Sequence, residues 1–147
     1  MIKTMIRFTL LIQWLFLICS TFLSAYGSKD SSGVELIILG TLQDAGAPHI
    51  GCNRSCCEKL RECPDPNLRI VSLGIMDHNS GESFLIEATP DISDQLSHLQ
   101  RISGNRLPNG ICVTHAHFGH YTGLRYLGKE ALNSREMPVY CMPRMAE

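Results

Sequence analysis

The chain has 147 residues, a formal net charge of −1 and 44% apolar residues. That length suits one small domain. The near-neutral charge carries no sign of the basic surface that a nucleic-acid partner requires, and there are no internal repeats or low-complexity tracts.

The first residues set the compartment. Lys3 and Arg7 precede a hydrophobic stretch, Phe8 to Leu23, interrupted by Gln13 and a few hydroxyls. Small residues follow at Ala25 and Gly27. A basic start, an apolar run and small residues at the cleavage positions match a secretory signal peptide over residues 1–27. An uncleaved membrane anchor is the alternative, although a run of about 16 is short for a span. The reading predicts a secreted or periplasmic protein without stable membrane association after cleavage. Residues 28–33 form a polar linker, and residues 34–147 form the domain.

Within the domain, Val34 to Leu39 reads as a strand closed by Gly40-Thr41. The loop from Leu42 to Ile50 carries Asp44, Gly46, Pro48 and His49. Pro64-Asp65-Pro66-Asn67 is a turn by composition. Leu68 to Met76 reads as a second strand, and His78-Asn79-Ser80-Gly81 as a hairpin turn into a third, Ser83 to Ala88. Thr89 and Pro90 suit an N-cap and a first helical position, with Asp91 favourable to the helix dipole. Ile92, Leu96 and Leu99 then recur at helical spacing. His98 reads as an ordinary helix residue. Ile111 to Val113 is a short buried strand, Tyr121 to Leu132 a helix, and Val139 to Cys141 a fifth strand. Strands first, then strand–helix alternation, predicts an α/β layered domain. About 120 residues are few to cover both faces of a five-stranded sheet.

Six cysteines lie beyond the leader, four of them between 52 and 63: Cys52, Cys56, Cys57 and Cys63. Such crowding fits a structural metal site or local disulfides, and export favours the latter. Cys112 fits a small buried core residue.

Three of the six histidines fall within six residues, in I-C-V-T-H-A-H-F-G-H-Y-T-G from Ile111 to Gly123. Neutral imidazole is the commonest protein ligand for zinc. Side chains at i and i+2 of extended backbone share a side, so His115 and His117 can address one ion. The turn at Gly119 can bring His120 to the same pocket or to a neighbouring one.

That stretch resembles the H-x-H-x-D-H signature of the metallo-β-lactamase superfamily. Leu39-Gly40-Thr41 and Ile86 to Asp91 are similar to segments of its N-terminal half. The loop G-T-L-Q-D-A-G-A-P-H-I-G-C is most similar to the branch that contains the pyrroloquinoline quinone biosynthesis protein B family. The resemblance covers roughly residues 34–143. It implies the N-terminal half of a four-layer αββα sandwich, truncated at the C-terminus. It also implies a zinc-dependent hydrolase acting on a small-molecule substrate, with a zinc-activated hydroxide as nucleophile and one or two zinc ions. By the resemblance, His115 and His117 match ligands of a first metal and His120 a ligand of a second. The carboxylate between them is replaced by Gly119. This weakens the second site and leaves the catalytic residue unassigned, so that restoring Asp at 119 is expected to raise affinity for a second metal where a complete second half supplies the remaining ligands, and to do little in these 147 residues alone. Asp44 and Glu87, at strand ends near the histidines, are candidates to support the ligands from behind. The four clustered cysteines loosely resemble a structural zinc knuckle of some relatives. A hydrolase impaired in this form, a non-catalytic metal-binding relative and a disulfide-rich secreted binding module are the functions in competition.

Overall fold

The computed structural model describes residues 32–147, so the signal peptide assigned to residues 1–27 lies outside the described residues. The elements are β1 (Val34–Gly40), α1 (Ser55–Glu62), β2 (Ser72–Asp77), β3 (Ser83–Ile86), α2 (Ile92–Ile102), β4 (Gly110–Val113), α3 (Phe118–Tyr121), β5 (Val139–Cys141) and α4 (Pro143–Ala146), with a 3-10 turn, Thr122–Leu127, directly after α3. The strands form one sheet in the order β1-β2-β3-β4-β5. The first two pairings are antiparallel and the last two parallel. Antiparallel neighbours need only a hairpin, whereas parallel ones need a crossover. Accordingly α2 joins β3 to β4, and α3 with its 3-10 turn lies between β4 and β5.

The two faces of the sheet differ. Side chains alternate along a strand, and cross-strand partners share a face. One face carries Ile37, Leu39, Met76, Leu85, Ile111 and Val113, which pack with Ile92 and Leu99 of α2 as the core. Leu85, Ile92, Leu99 and Ile111 are fully buried, each contributing about 1.5–3 kcal/mol by transfer from water. Gly74 of β2 makes the approach of α2 possible, because a Cβ there would lie 2.9 Å from Leu99 Cδ1. The opposite face follows the register Leu36–Ile75–Phe84 and Ile38–Leu73–Ile86–Cys112–Tyr140. It is apolar but open: Leu36 is 62% and Ile38 66% exposed. A sheet with one covered and one open apolar face is half of a layered sandwich.

Three sequence-based boundaries move. The second strand starts at Ser72 rather than Leu68, because Ile70 pairs instead with Leu42 beyond β1. The helix expected from Thr89 starts at Ile92. Thr89 is fully buried, and its hydroxyl donates to Gln95 Oε1 at 2.7 Å while accepting from the Asp91 N–H at 3.0 Å. It thus shapes the turn before the helix. The helix expected over Tyr121–Leu132 starts earlier, at Phe118, and tightens to a 3-10 turn that ends at Leu127. Gly123 drives this tightening. Its N–H donates to the Ala88 carbonyl at 2.8 Å, and a Cβ there would sit 2.2 Å from the Thr89 carbonyl oxygen.

The helix α1 lacks an apolar period in SCCEKLRE, and only Cys57 of it is buried. The neighbouring Cys56 is exposed, and Cys52, Cys56, Cys57 and Cys63 are all free thiols. Adjacent positions on a helix point about 100° apart, so α1 separates Cys56 from Cys57. No helix among the described residues is long and apolar enough to cross a membrane.

Candidate metal centre

The site sits where β1, β3 and β4 end. β4 stops at Val113, and Thr114 leads into the exposed His115 and His117; His120, on α3, is buried. Two backbone hydrogen bonds fix α3 against the end of β3: Ala88 N–H to the His120 carbonyl and Gly123 N–H to the Ala88 carbonyl, both 2.8 Å. Glu87, one residue before this ladder, adopts φ 74°. A non-glycine residue in that region carries a backbone cost of order 1–3 kcal/mol. Here the conformation turns the carboxylate inward, where Glu87 is 5% exposed.

A relay begins at that carboxylate. The Thr114 hydroxyl donates to Glu87 Oε1, and the Thr114 N–H donates to Oε2 at 3.3 Å. The hydroxyl has a single proton and gives it to Glu87. Its oxygen therefore accepts from His115 Nδ1–H, 2.8 Å away. That proton assignment leaves His115 Nε2 with a free lone pair. Nε2 lies 3.1 Å from His117 Nδ1. Two donors bound to zinc at tetrahedral angles, each about 2.0–2.1 Å from it, are about 3.3 Å apart. His115 and His117 thus present two nitrogens at the separation a shared cation requires.

Asp44 completes the cluster. Its Oδ1 lies 2.9 Å from His120 Nε2 and its Oδ2 3.4 Å from His117 Nδ1. The other nitrogen of His120, Nδ1, faces Glu87 Oε2 at 3.4 Å. It is buried and without a hydrogen-bond partner. One imidazole thus stands between two carboxylates. A neutral ring has a single N–H and would turn a lone pair towards one of them. The arrangement leaves one carboxylate facing a lone pair, which a cation between them would relieve. Burial pushes the Asp44 carboxyl up, but the His120 hydrogen bond and the charges of His120 and His117 outweigh it and hold the group below its ordinary value.

The loop bearing Asp44 is itself anchored. Leu42 N–H donates to the Arg69 carbonyl at 2.9 Å and Val71 N–H to the Leu42 carbonyl at 2.8 Å. Ile70 between them is held from α2: Asp91 Oδ2 accepts its N–H at 2.8 Å, and Gln95 Nε2 donates to its carbonyl at 2.7 Å. Gln95 had no assigned role in the sequence, because a buried glutamine cannot be told from a surface one by spacing, and Asp91, expected only to favour the helix dipole, also holds the Ile70 N–H.

Gly119 has a second meaning in the structure. A Cβ built on it would lie 2.6 Å from both Cα and Cβ of Asp44, and 2.8 Å from its carbonyl oxygen. The expectation that Asp at 119 restores a ligand is therefore corrected: the space for that side chain is filled by the backbone of Asp44. His49 is an exposed loop histidine whose Nδ1 bonds to the Ile50 carbonyl at 2.8 Å. Among the described residues, the group that brings three potential metal donors within 4.8 Å of one another is Glu87, His115 and His120. The cysteines of residues 52–63 form no such group, and a cavity of about 640 Å³ beside them contains none of the site imidazoles.

No family model matches the chain. Its fold is that of a metallo-β-lactamase-fold protein, and solved structures agree. A diphosphatase of the PhnP family is 25% identical with a TM-score of 0.54, over 77% of this chain and 43% of that one. The Zn(2+)-bound PqqB from Methylobacterium extorquens is 22% identical with a TM-score of 0.56, over 75% of this chain and 38% of that one. The coenzyme PQQ synthesis protein B of Klebsiella pneumoniae (strain 342) is 30% identical over 117 residues, which are 75% of this chain and 36% of that protein. The chain is therefore a metallo-β-lactamase-superfamily chain with a PqqB-like relationship over about 75% of its length. It spans little more than a third of that curated relative. The partial coverage of both solved structures fits the N-terminal half of the αββα sandwich.

Proposed function

We propose that the chain is the metal-binding half of a zinc-dependent hydrolase with a small-molecule substrate. The observation that carries this reading is the 3.1 Å approach of His115 Nε2 to His117 Nδ1, with His115 already tautomerised by the Thr114–Glu87 relay. His115, His117 and His120 would hold the ion, and Glu87 would orient His115 through Thr114. With both its oxygens engaged by Thr114, Glu87 fits the orienting role better than direct coordination, and such partners typically tune metal affinity 10–100-fold. When bound, zinc supplies a hydroxide at working pH and polarises the substrate's carbonyl or phosphoryl oxygen. The exposure of His115 and His117 keeps the ion's open side towards substrate, as catalytic sites require. The likeness to a PhnP-family diphosphatase favours a phosphoryl substrate. Export through residues 1–27 is part of the proposal, and sequencing the N-terminus of the mature protein tests it.

The zinc-loaded chain is to be assayed against phosphodiester, diphosphate, lactone and β-lactam probes, alone and joined to a second half from its own reading frame. Turnover that requires His115 supports the reading. Zinc binding without turnover in both forms would instead favour a non-catalytic metal-binding relative, and neither zinc nor turnover would overturn both.

A further inference from the structure

The chain's departure from its family signature is local: where the motif calls for a carboxylate there is Gly119. The structure shows what fills that place. The backbone and Cβ of Asp44 lie against Gly119, closer than any side chain at 119 could tolerate. The Asp44 carboxylate sits between the two imidazoles that flank position 119 in sequence, Oδ1 at 2.9 Å from His120 Nε2 and Oδ2 at 3.4 Å from His117 Nδ1. Both separations fall near the roughly 3.3 Å expected of neighbouring ligands on one small cation. We infer that Asp44, delivered from the β1 loop, is a direct metal ligand that takes over the coordination lost at Gly119.

This inference rests on the metal-site reading above and adds to it. In that reading Asp44 had only to support the imidazoles. A direct ligand explains the two features that a supporting role leaves open. The first is His120 Nδ1, buried opposite Glu87 with no hydrogen-bond partner. If Nε2 gives its lone pair to a cation shared with Asp44, the ring proton moves to Nδ1 and points at Glu87 Oε2, and both carboxylates then face positive charge. The second is Gly119 itself. A glycine inside a helix costs about 1 kcal/mol relative to alanine, and here only glycine leaves room for Asp44. The ligand and the glycine are one device: a carboxylate imported from 75 positions upstream, and the hole that admits it. Imidazole nitrogen and carboxylate oxygen are then offered side by side, a mixture of donors that suits zinc.

The distinguishing experiment replaces the oxygen ligand by sulfur. The full chain is prepared as wild type, Asp44→Cys and Asp44→Ser, and loaded with cobalt(II). A thiolate bound to cobalt gives an intense near-ultraviolet charge-transfer band, while a thiol that merely hydrogen-bonds an imidazole gives none. The seven native cysteines are common to all three proteins and cancel in the difference between Asp44→Cys and Asp44→Ser. A new band in that difference, lost when His120→Ala is added, is the expected result. Superimposable Asp44→Cys and Asp44→Ser spectra, in proteins whose circular dichroism matches wild type, would overturn the assignment. Asp44→Asn, nearly isosteric, covers the case in which the sulfur variant does not fold; it should lower cobalt affinity at least tenfold, and unchanged affinity would also overturn it. The site reading is tested separately by His115→Ala. If that variant loses cobalt while Asp44→Cys shows no band, only the role of Asp44 fails; if it retains full cobalt affinity, the metal site itself is wrong.

Discussion

Gly119→Ala sets two physical effects against each other, and their magnitudes decide the sign. Position 119 lies in α3. Helix propensity alone predicts that alanine stabilises it by about 1 kcal/mol. The structure predicts the reverse. The new Cβ would stand 2.6 Å from two carbon atoms of Asp44, about 1 Å inside ordinary carbon–carbon contact at 3.5–4.0 Å. The obstruction is backbone held through Leu42, Ile70 and Gln95, so it cannot simply rotate away. Overpacking of this kind costs about 1–3 kcal/mol. Because the clash is with backbone, the upper part of that range applies, and the net effect is a destabilisation of about 1–2 kcal/mol. Denaturant titration followed by circular dichroism reads it as a lower midpoint at unchanged slope. The displaced loop also carries the Asp44 carboxylate off His120, so zinc affinity falls with stability. A Gly119→Ala chain as stable as wild type, or more so, would refute the steric account of Gly119.

Three further outcomes follow from the same structure. Gln95→Leu keeps the volume but orphans the Thr89 hydroxyl and the Ile70 carbonyl; at about 1–3 kcal/mol per unsatisfied buried group, it should cost about 2–4 kcal/mol, and a cost below 1 kcal/mol in urea denaturation would contradict the network. The Asn79 N–H and the Ser80 hydroxyl bond to the Asp77 carboxyl in the β2–β3 turn and hold it below its ordinary value of 3.8. A depressed value means stabilisation that is present above 3.8 and fades as pH falls below it, so wild type should lose stability relative to Asp77→Asn between about pH 4 and pH 2; parallel pH profiles would refute this. Burial, with a smaller contribution from the charge of Glu87, pushes the Cys112 thiol up, so iodoacetamide should label it more slowly than the exposed Cys56 and Cys63, read by peptide mass spectrometry.

What the sequence disclosed depended on the range of the signal. β1, β3 and β4 are short apolar runs bounded by Gly, Pro or polar turns, and such local patterns are legible. The spacing of Ile92, Leu96 and Leu99 disclosed the face of α2 that meets the sheet. α1 stayed hidden because SCCEKLRE has no apolar stripe, and its cysteines drew attention to metal or disulfide chemistry instead. The early end of the 3-10 turn was hidden for a different reason: Gly123 is glycine because of the Thr89 carbonyl, a contact across 34 positions. The three histidines announced themselves by density, and Glu87 and Asp44 as acids at strand ends. That Asp44 reaches His120 across 76 positions, and that it occupies the space a side chain at 119 would need, is a tertiary fact. The visible clue was a coincidence of two features: a glycine where the signature demands an acid, and an acid in the β1 loop without another duty.

Whether the imidazoles after β4 form a metal site is decided by zinc stoichiometry. The purified chain, dialysed against zinc buffer and then against metal-free buffer, is compared with the His115→Ala/His117→Ala double variant by inductively coupled plasma mass spectrometry. Taking the difference between the two removes any zinc held by the cysteines. The account predicts that the double variant carries about one zinc fewer per chain, the ion shared by neighbouring ligands, with circular dichroism unchanged because both residues are exposed. Equal zinc content in the two proteins would contradict it.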